Sequence, residues 1–138
     1  MAKTFRTTRF VEFHDTDMAG IMHFASFYLY MGSAEHEFFR SLGITLCSRE
    51  DESVTFPRVS AHCDFKSPAY CEQVLEIVVS IARLGTKSIT FHFEMTHEGR
   101  QVATGQMTCV CCHVRPNEPL ESMPIPVDIA EKLRPYVT

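Results

Sequence analysis

A surplus of basic residues is the first thing this sequence lacks. Thirteen lysines and arginines stand against seventeen aspartates and glutamates, a formal net charge of -4 at pH 7. A chain so balanced has no general positive field to hold nucleic acid, although a local basic pocket for a phosphorylated ligand stays open. Long apolar runs are missing too. No stretch approaches the roughly 20 residues of a membrane-spanning helix, so no membrane partner is expected. The opening Met1 to Arg9 has no apolar core of a secretory leader. These absences predict a cytoplasmic protein whose six cysteines are reduced. The two C-x-x-C pairs of a zinc site are also absent: Cys47, Cys63 and Cys71 are scattered, while Cys109, Cys111 and Cys112 fall in one strand-like run, where Cys109 and Cys112 have no second pair to match them. They read as small buried hydrophobes, with neither a disulfide nor a metal expected.

What is present fits one globular domain over residues 1–138, with 45% hydrophobic and 22% charged residues and no internal repeat. Ile89, Phe91, Phe93 and Met95 alternate with polar neighbours, and Leu75, Ile77, Val79 and Ile81 share one face upstream. Gly85-Thr86 between them predicts a hairpin of strands at 73–84 and 87–97, and Glu98-Gly99 a second reversal into a strand at 101–114. Residues around Ala61 to Phe65 read as another strand, which Pro57 limits at its start or places at an edge. Phe5 to Phe13 reads as the first strand. Between Phe24 and Gly43, by contrast, Phe27, Met31, Ala34, Phe38 and Leu42 recur at helical spacing, and Gly43 is placed to end the helix. Gly32 inside it suggests that another backbone passes close by. Pro116 to Pro126 reads as a surface loop, followed by a short helix at 127–133. An antiparallel sheet of about five strands wrapped round one apolar helix, an α+β arrangement, buries both economically.

The chemistry concentrates in His14-Asp15-Thr16-Asp17-Met18-Ala19-Gly20, between the first strand and the long helix. A helix N-terminus offers unpaired N–H groups and partial positive charge, which can hold the oxyanion of an attacked carbonyl. A carboxylate beside it can serve as nucleophile or as general base for water. Gly20 allows a sharp turn or close approach of a ligand. Taken alone, the same acidic turn also fits a simple helix cap.

The stretch Val11 to Phe24, the helix end Glu37-Phe38-Phe39-Arg40-Ser41-Leu42-Gly43 and the hairpin Ala82-Arg83-Leu84-Gly85-Thr86-Lys87-Ser88 together resemble the 4-hydroxybenzoyl-CoA thioesterase family of hotdog proteins, the branch that includes YbgC-type acyl-CoA thioesterases. The resemblance spans roughly residues 5–114. It implies a hotdog fold and hydrolysis of an acyl-CoA thioester, with no cofactor beyond the CoA of the substrate and no metal. Asp17 matches the family's catalytic carboxylate, as nucleophile or general base, and the backbone N–H of Phe24 the donor to the carbonyl oxygen. Gly20, Lys87 and Ser88 match substrate- or CoA-binding positions, the last two often reached from the partner subunit. A solvated hairpin charge is the competing reading of Lys87. Asp15 reads as structural, and Thr16 and Ala19 as shaping the turn.

His23 departs from the family pattern and stands between a catalytic imidazole and a hydrogen-bonded pocket residue. His14, Asp15, Asp17 and His23 match no standard metal-ligand spacing. Glu35 and Glu37 lie on the central helix, where another branch of hotdog thioesterases keeps its carboxylate. Phe24, Phe27, Phe56 and Met22 are candidates to line the acyl pocket. The resemblance further implies a homodimer, or a tetramer as a dimer of dimers. The alternative to the enzyme is a non-catalytic acyl-CoA-binding hotdog protein, and a dehydratase on the same fold ranks behind it.

Overall fold

Alternation builds the sheet as the sequence predicts. In β5 (Ser88–His97), Ile89, Phe91, Phe93 and Met95 are all fully buried, and the residues between them are not. β4 (Val74–Leu84) buries Leu75, Ile77, Val79 and Ile81 on the same side. With β1 (Phe5–Phe10), β3 (Arg58–Phe65) and β6 (Arg100–Val110) these form a five-stranded sheet in the order β1-β4-β5-β6-β3, antiparallel throughout. Glu98 and Gly99 both take positive φ, which makes the tight β5–β6 reversal possible. The computed structural model describes residues 1–46 and 53–138. Cys47 lies outside them.

Helix α1 (Phe24–Ser41) lies on the buried face of this sheet. Its buried residues come in neighbouring pairs one turn apart: Ser26 and Phe27, Tyr30 and Met31, Ala34 and Glu35, Phe38 and Phe39. Such a band, two residues wide, is what a curved sheet can cover. Phe38 meets Phe91 edge-on at 6.1 Å and Tyr136 of the C-terminal tail at 4.8 Å between ring centroids. Gly43, at φ +76°, follows the helix end, as the sequence suggests.

The expected close approach at Gly32 is not made within this chain. A Cβ there would meet nothing within 4 Å among the described residues, and Gly32 lies outside the band that α1 buries. The close approach is at Gly105 on β6 instead, where a Cβ would overlap the sulfur of Met31. Three other expectations shift. The first strand stops at Phe10, since its partner β4 begins at Val74 opposite it, and the chain turns into a 3-10 helix over Phe13–Asp15. The last long strand ends at Val110, and β7 (Cys112–His113) leaves the main sheet. It pairs with β2 (Val54–Thr55) and with β8 (Glu121–Ser122), so the proline-rich segment holds a short strand as well as loop. α2 (Val127–Leu133) has the predicted bounds, with Pro126 at its entrance.

Candidate active site

Asp15 organises the segment between β1 and α1. Its side chain is nearly buried and accepts the Tyr30 hydroxyl at 2.6 Å and the Glu12 backbone N–H at 3.0 Å. Its carbonyl oxygen accepts the His23 N–H at 2.8 Å and the Ser26 hydroxyl at 3.0 Å. One residue therefore ties the acidic turn to both the start and the second turn of α1. Burial is the main reason the Tyr30 hydroxyl is held well above its usual range, with its bond to the Asp15 carboxylate adding to it. This tyrosine stays a donor.

Asp17 stands on the outer side of the same turn, exposed, with Oδ1 accepting the Ala19 N–H at 2.9 Å. Its backbone closes the loop, with Asp17 N–H donating to Ile21 O at 2.9 Å and Gly20 N–H to Asp17 O at 3.0 Å. Gly20 sits at φ +81°, a conformation that a Cβ would strain. The second oxygen of Asp17 has no protein donor among the described residues.

The helix start is accounted for amide by amide. Met22 N–H donates to Ala69 O, His23 N–H to Asp15 O, Ala25 N–H to Nδ1 of His23 and Ser26 N–H to His23 O. Among the described residues the N–H of Phe24 has no such acceptor. His23 caps the helix with its ring nitrogen, at 3.1 Å from Ala25 N, and stacks on the Phe24 ring at 4.6 Å. Its Nδ1 is thereby occupied, which suits a cap.

Asp17 and Phe24 open on one cavity of about 440 Å3, within the usual range of small-molecule sites. Ile21 and Met22 form its floor on the loop side, and Phe24 and Phe27 its helix side. The opposite wall is the end of β3 and the turn after it, Phe65 to Pro68, with the Phe27 and Phe65 rings edge to face at 5.1 Å. That wall escaped the sequence reading. Its link to the acidic turn is the Met22–Ala69 hydrogen bond and the Ile21–Tyr70 bridge, pairings nearly fifty residues apart that local pattern does not reveal. Phe56, by contrast, stacks on Phe39 at 5.2 Å in the core and does not line the cavity.

A match to the family model of the thioesterase-like superfamily covers residues 11–133. The chain belongs to that superfamily. A 1,4-dihydroxy-2-naphthoyl-CoA hydrolase of Synechococcus elongatus is 33% identical over 105 residues, 75% of this chain and 77% of its own. The structure of a gentisyl-coenzyme A thioesterase superposes with a TM-score of 0.80 at 30% identity, covering 95% of this chain and 99% of that one. A 4-hydroxybenzoyl CoA thioesterase, at 20% identity and a TM-score of 0.84, covers 96% and 99% and shares the fold. The hotdog fold and the family resemblance read from the sequence both hold.

The remaining candidates of this thioesterase-like chain lie elsewhere. Lys87 is exposed in the β4–β5 hairpin and Ser88 opens β5, both outside the Asp17 cavity of their own chain. His14 is exposed, its Nε2 at 3.5 Å from both the Glu12 and the Asp15 carboxylates. Glu12, His14 and Asp15 thus cluster tightly, and Asp17 and His23 stand apart from them. Glu37 accepts the Thr7 hydroxyl, a strut between α1 and β1. Glu35 is wholly buried, with Arg58 Nη2 3.0 Å from its Oε1. That contact lies off the N–H direction, so charge rather than an aligned hydrogen bond holds the pair, and among the described residues neither carboxylate oxygen has a well-directed donor. Burial pushes the Glu35 carboxyl up from 4.5 to about 7, against the opposing pull of Arg58.

Proposed function

We propose that this acyl-CoA thioesterase attacks its substrate through Asp17, with the Phe24 N–H receiving the carbonyl oxygen. The observation that carries the reading is the unpartnered N–H at the start of α1, opening on the same cavity as a carboxylate with one uncommitted oxygen. Charge developing on the carbonyl oxygen would meet a fixed donor and the positive end of an 18-residue helix. Asp17 then either adds to the carbonyl carbon, expelling CoA thiolate and leaving an anhydride for water to open, or takes a proton from the water that adds. Each route consumes one water and yields free acid and CoA. No cofactor enters either route. A pure binding protein would gain nothing from a carboxylate beside a thioester. Release of free thiol across a panel of acyl-CoA thioesters, short to long and aryl, is the test. No release from any member would leave the binding protein as the better reading.

The aromatic walls Phe24, Phe27 and Phe65 suit a flat acyl group, which accords with the aromatic acyl-CoA named for the relatives. Among the described residues no helix is long and apolar enough to cross a membrane.

Assembly follows from β3. It is an edge strand, and all its residues but Cys63 are exposed, including Val59 and Phe65. A strand that ends a sheet with apolar side chains uncovered invites pairing with a second copy. A homodimer joined there, and a tetramer from two such dimers, would let Lys87 and Ser88 of one chain reach toward Asp17 of the other. Lys87→Ala is then expected to raise KM severalfold with little change in kcat, and to do so less for a substrate lacking the nucleotide 3′-phosphate. An equal loss on both substrates would argue against a nucleotide contact. Sedimentation at micromolar concentration should show at least a dimer. Mixing Asp17→Asn with Lys87→Ala protein, with subunit exchange demonstrated, should recover activity that each impaired parent lacks. A fully active monomer would defeat the shared site.

A further inference from the structure

Glu12, His14 and Asp15 bring three ligand atoms together at the 3-10 turn, outside the Asp17 cavity, which none of them lines. Among the described residues they are the one set of three metal-ligating side chains whose ligand atoms all lie within 4.8 Å of one another. His14 Nε2 stands 3.5 Å from Glu12 Oε2 and 3.5 Å from Asp15 Oδ1. That is beyond the roughly 3.2 Å limit of a good N–H···O hydrogen bond. It is close to the edge of a zinc tetrahedron, about 3.4 Å for bonds of about 2.1 Å. An imidazolium alone would close on one carboxylate rather than stand evenly off both. Asp15 supplies a second, independent observation. Its side chain is 8% exposed, and both of its donors, the Tyr30 hydroxyl and the Glu12 N–H, go to Oδ2. Oδ1 accepts no hydrogen bond among the described residues and faces the His14 nitrogen. A carboxylate oxygen on so buried a side chain ordinarily has a partner.

We infer that Glu12, His14 and Asp15 form a binding site for a divalent transition metal of zinc type, which braces the turn that carries Asp17. One imidazole and two carboxylates suit such an ion, whereas magnesium and calcium take oxygen ligands. With His14 neutral the set carries two negative charges, which a divalent ion balances. The His14 side chain is largely exposed and gives the ion a path from solvent. Three protein ligands leave a fourth position to water, but that water lies outside the cavity, so the ion takes no part in hydrolysis. What it does is tie Glu12, just after β1, to Asp15, whose carbonyl oxygen holds the His23 N–H and the Ser26 hydroxyl at the start of α1. The site goes beyond the thioesterase reading and does not depend on it.

Calorimetric titration of chelator-stripped protein with zinc chloride is the test, in a Cys71→Ser background that removes an exposed thiol. One equivalent should bind at least about tenfold more tightly than it does to His14→Ala or Glu12→Gln. Both of these side chains are exposed, so both variants should keep the fold, which circular dichroism checks. Asp15→Asn is left aside, since it would also disturb Tyr30. Cobalt(II) in place of zinc should show the visible bands of a four-coordinate ion without thiolate charge transfer. Saturating zinc should raise Tm by about 4 °C or more, and leave that of His14→Ala unchanged. Zinc held no more tightly than by His14→Ala, or no more tightly than magnesium, would overturn the site. Thiolate charge transfer to cobalt would assign the ion to a cysteine instead, and a bound ion that leaves Tm unchanged would overturn the brace. None of these readouts uses turnover, so a protein that releases no thiol loses the hydrolase reading alone.

Discussion

Asp17→Asn is expected to lower kcat about a hundredfold or more while leaving the fold and the affinity for an acyl-CoA intact. The amide keeps the size of the carboxylate, and its oxygen can still accept the Ala19 N–H that orders the turn. What it loses is the oxygen that would attack the thioester or take the proton of water. Thiol release under saturating substrate measures the loss, and circular dichroism with ligand titration checks that nothing else moved. Asp15→Asn makes the contrast. Its carboxylate is committed to Tyr30 and Glu12, so its replacement should act through stability, at about 1–3 kcal/mol, rather than through chemistry. A folded Asp15→Asn as inactive as Asp17→Asn would reverse the division of labour between the two carboxylates. Unimpaired hydrolysis by Asp17→Asn would remove it from the chemistry altogether.

Glu35→Gln is expected to change how stability depends on pH. In the folded protein the Glu35 carboxyl ionises near 7, above its usual 4.5, because burial disfavours the charged form. Protonated Glu35 therefore favours the folded state below about 4.5. That advantage shrinks as the pH rises from 4.5 and is gone once it has passed about 7. The rise corresponds to about 3 kcal/mol between the two limits. Arg58 offsets part of the burial cost, and its own half-exposed position keeps it solvated when Glu35 is neutral. Urea unfolding at pH 5 and pH 8 should show the wild type losing stability relative to Glu35→Gln as the pH rises. Parallel behaviour of the two proteins would mean that Glu35 ionises as an ordinary carboxyl. The same charge makes Glu35 a poor alternative catalyst: it has no exposed surface and does not line the Asp17 cavity.

How legible all this was depended on the range of each interaction. The β4–β5–β6 meander and α1 were readable because their periods of two and 3.6 lie in the local sequence, and Glu98-Gly99 and Gly43 mark their ends. Asp17 was readable as a candidate because an acidic turn directly precedes a helix. The β8 strand was not, since Glu121-Ser122 alternates with nothing and is a strand only because β7 lies beside it. Nor was the commitment of Asp15 to Tyr30, which the helix brings to it from fifteen residues away. The far wall of the cavity comes from forty to fifty residues further on. Gly32 misled for a related reason: a helical glycine signals a close neighbour, but which glycine has one depends on which side of the helix meets the sheet.

The notch at Gly105 reaches beyond packing. Met31 seats in it seven residues after Phe24, two turns along the same rigid rod, or about 10 Å. Helices resist stretching, so the notch works like a key in a shaft, fixing how far along its axis the rod can sit. The height of the Phe24 amide above the cavity is then set from β6, by a residue that has no side chain and does not line the cavity. A bulkier residue at 105 would displace the Met31 thioether first and, where the core leaves that no room, the rod that carries the Phe24 N–H, while every residue lining the cavity stayed the same.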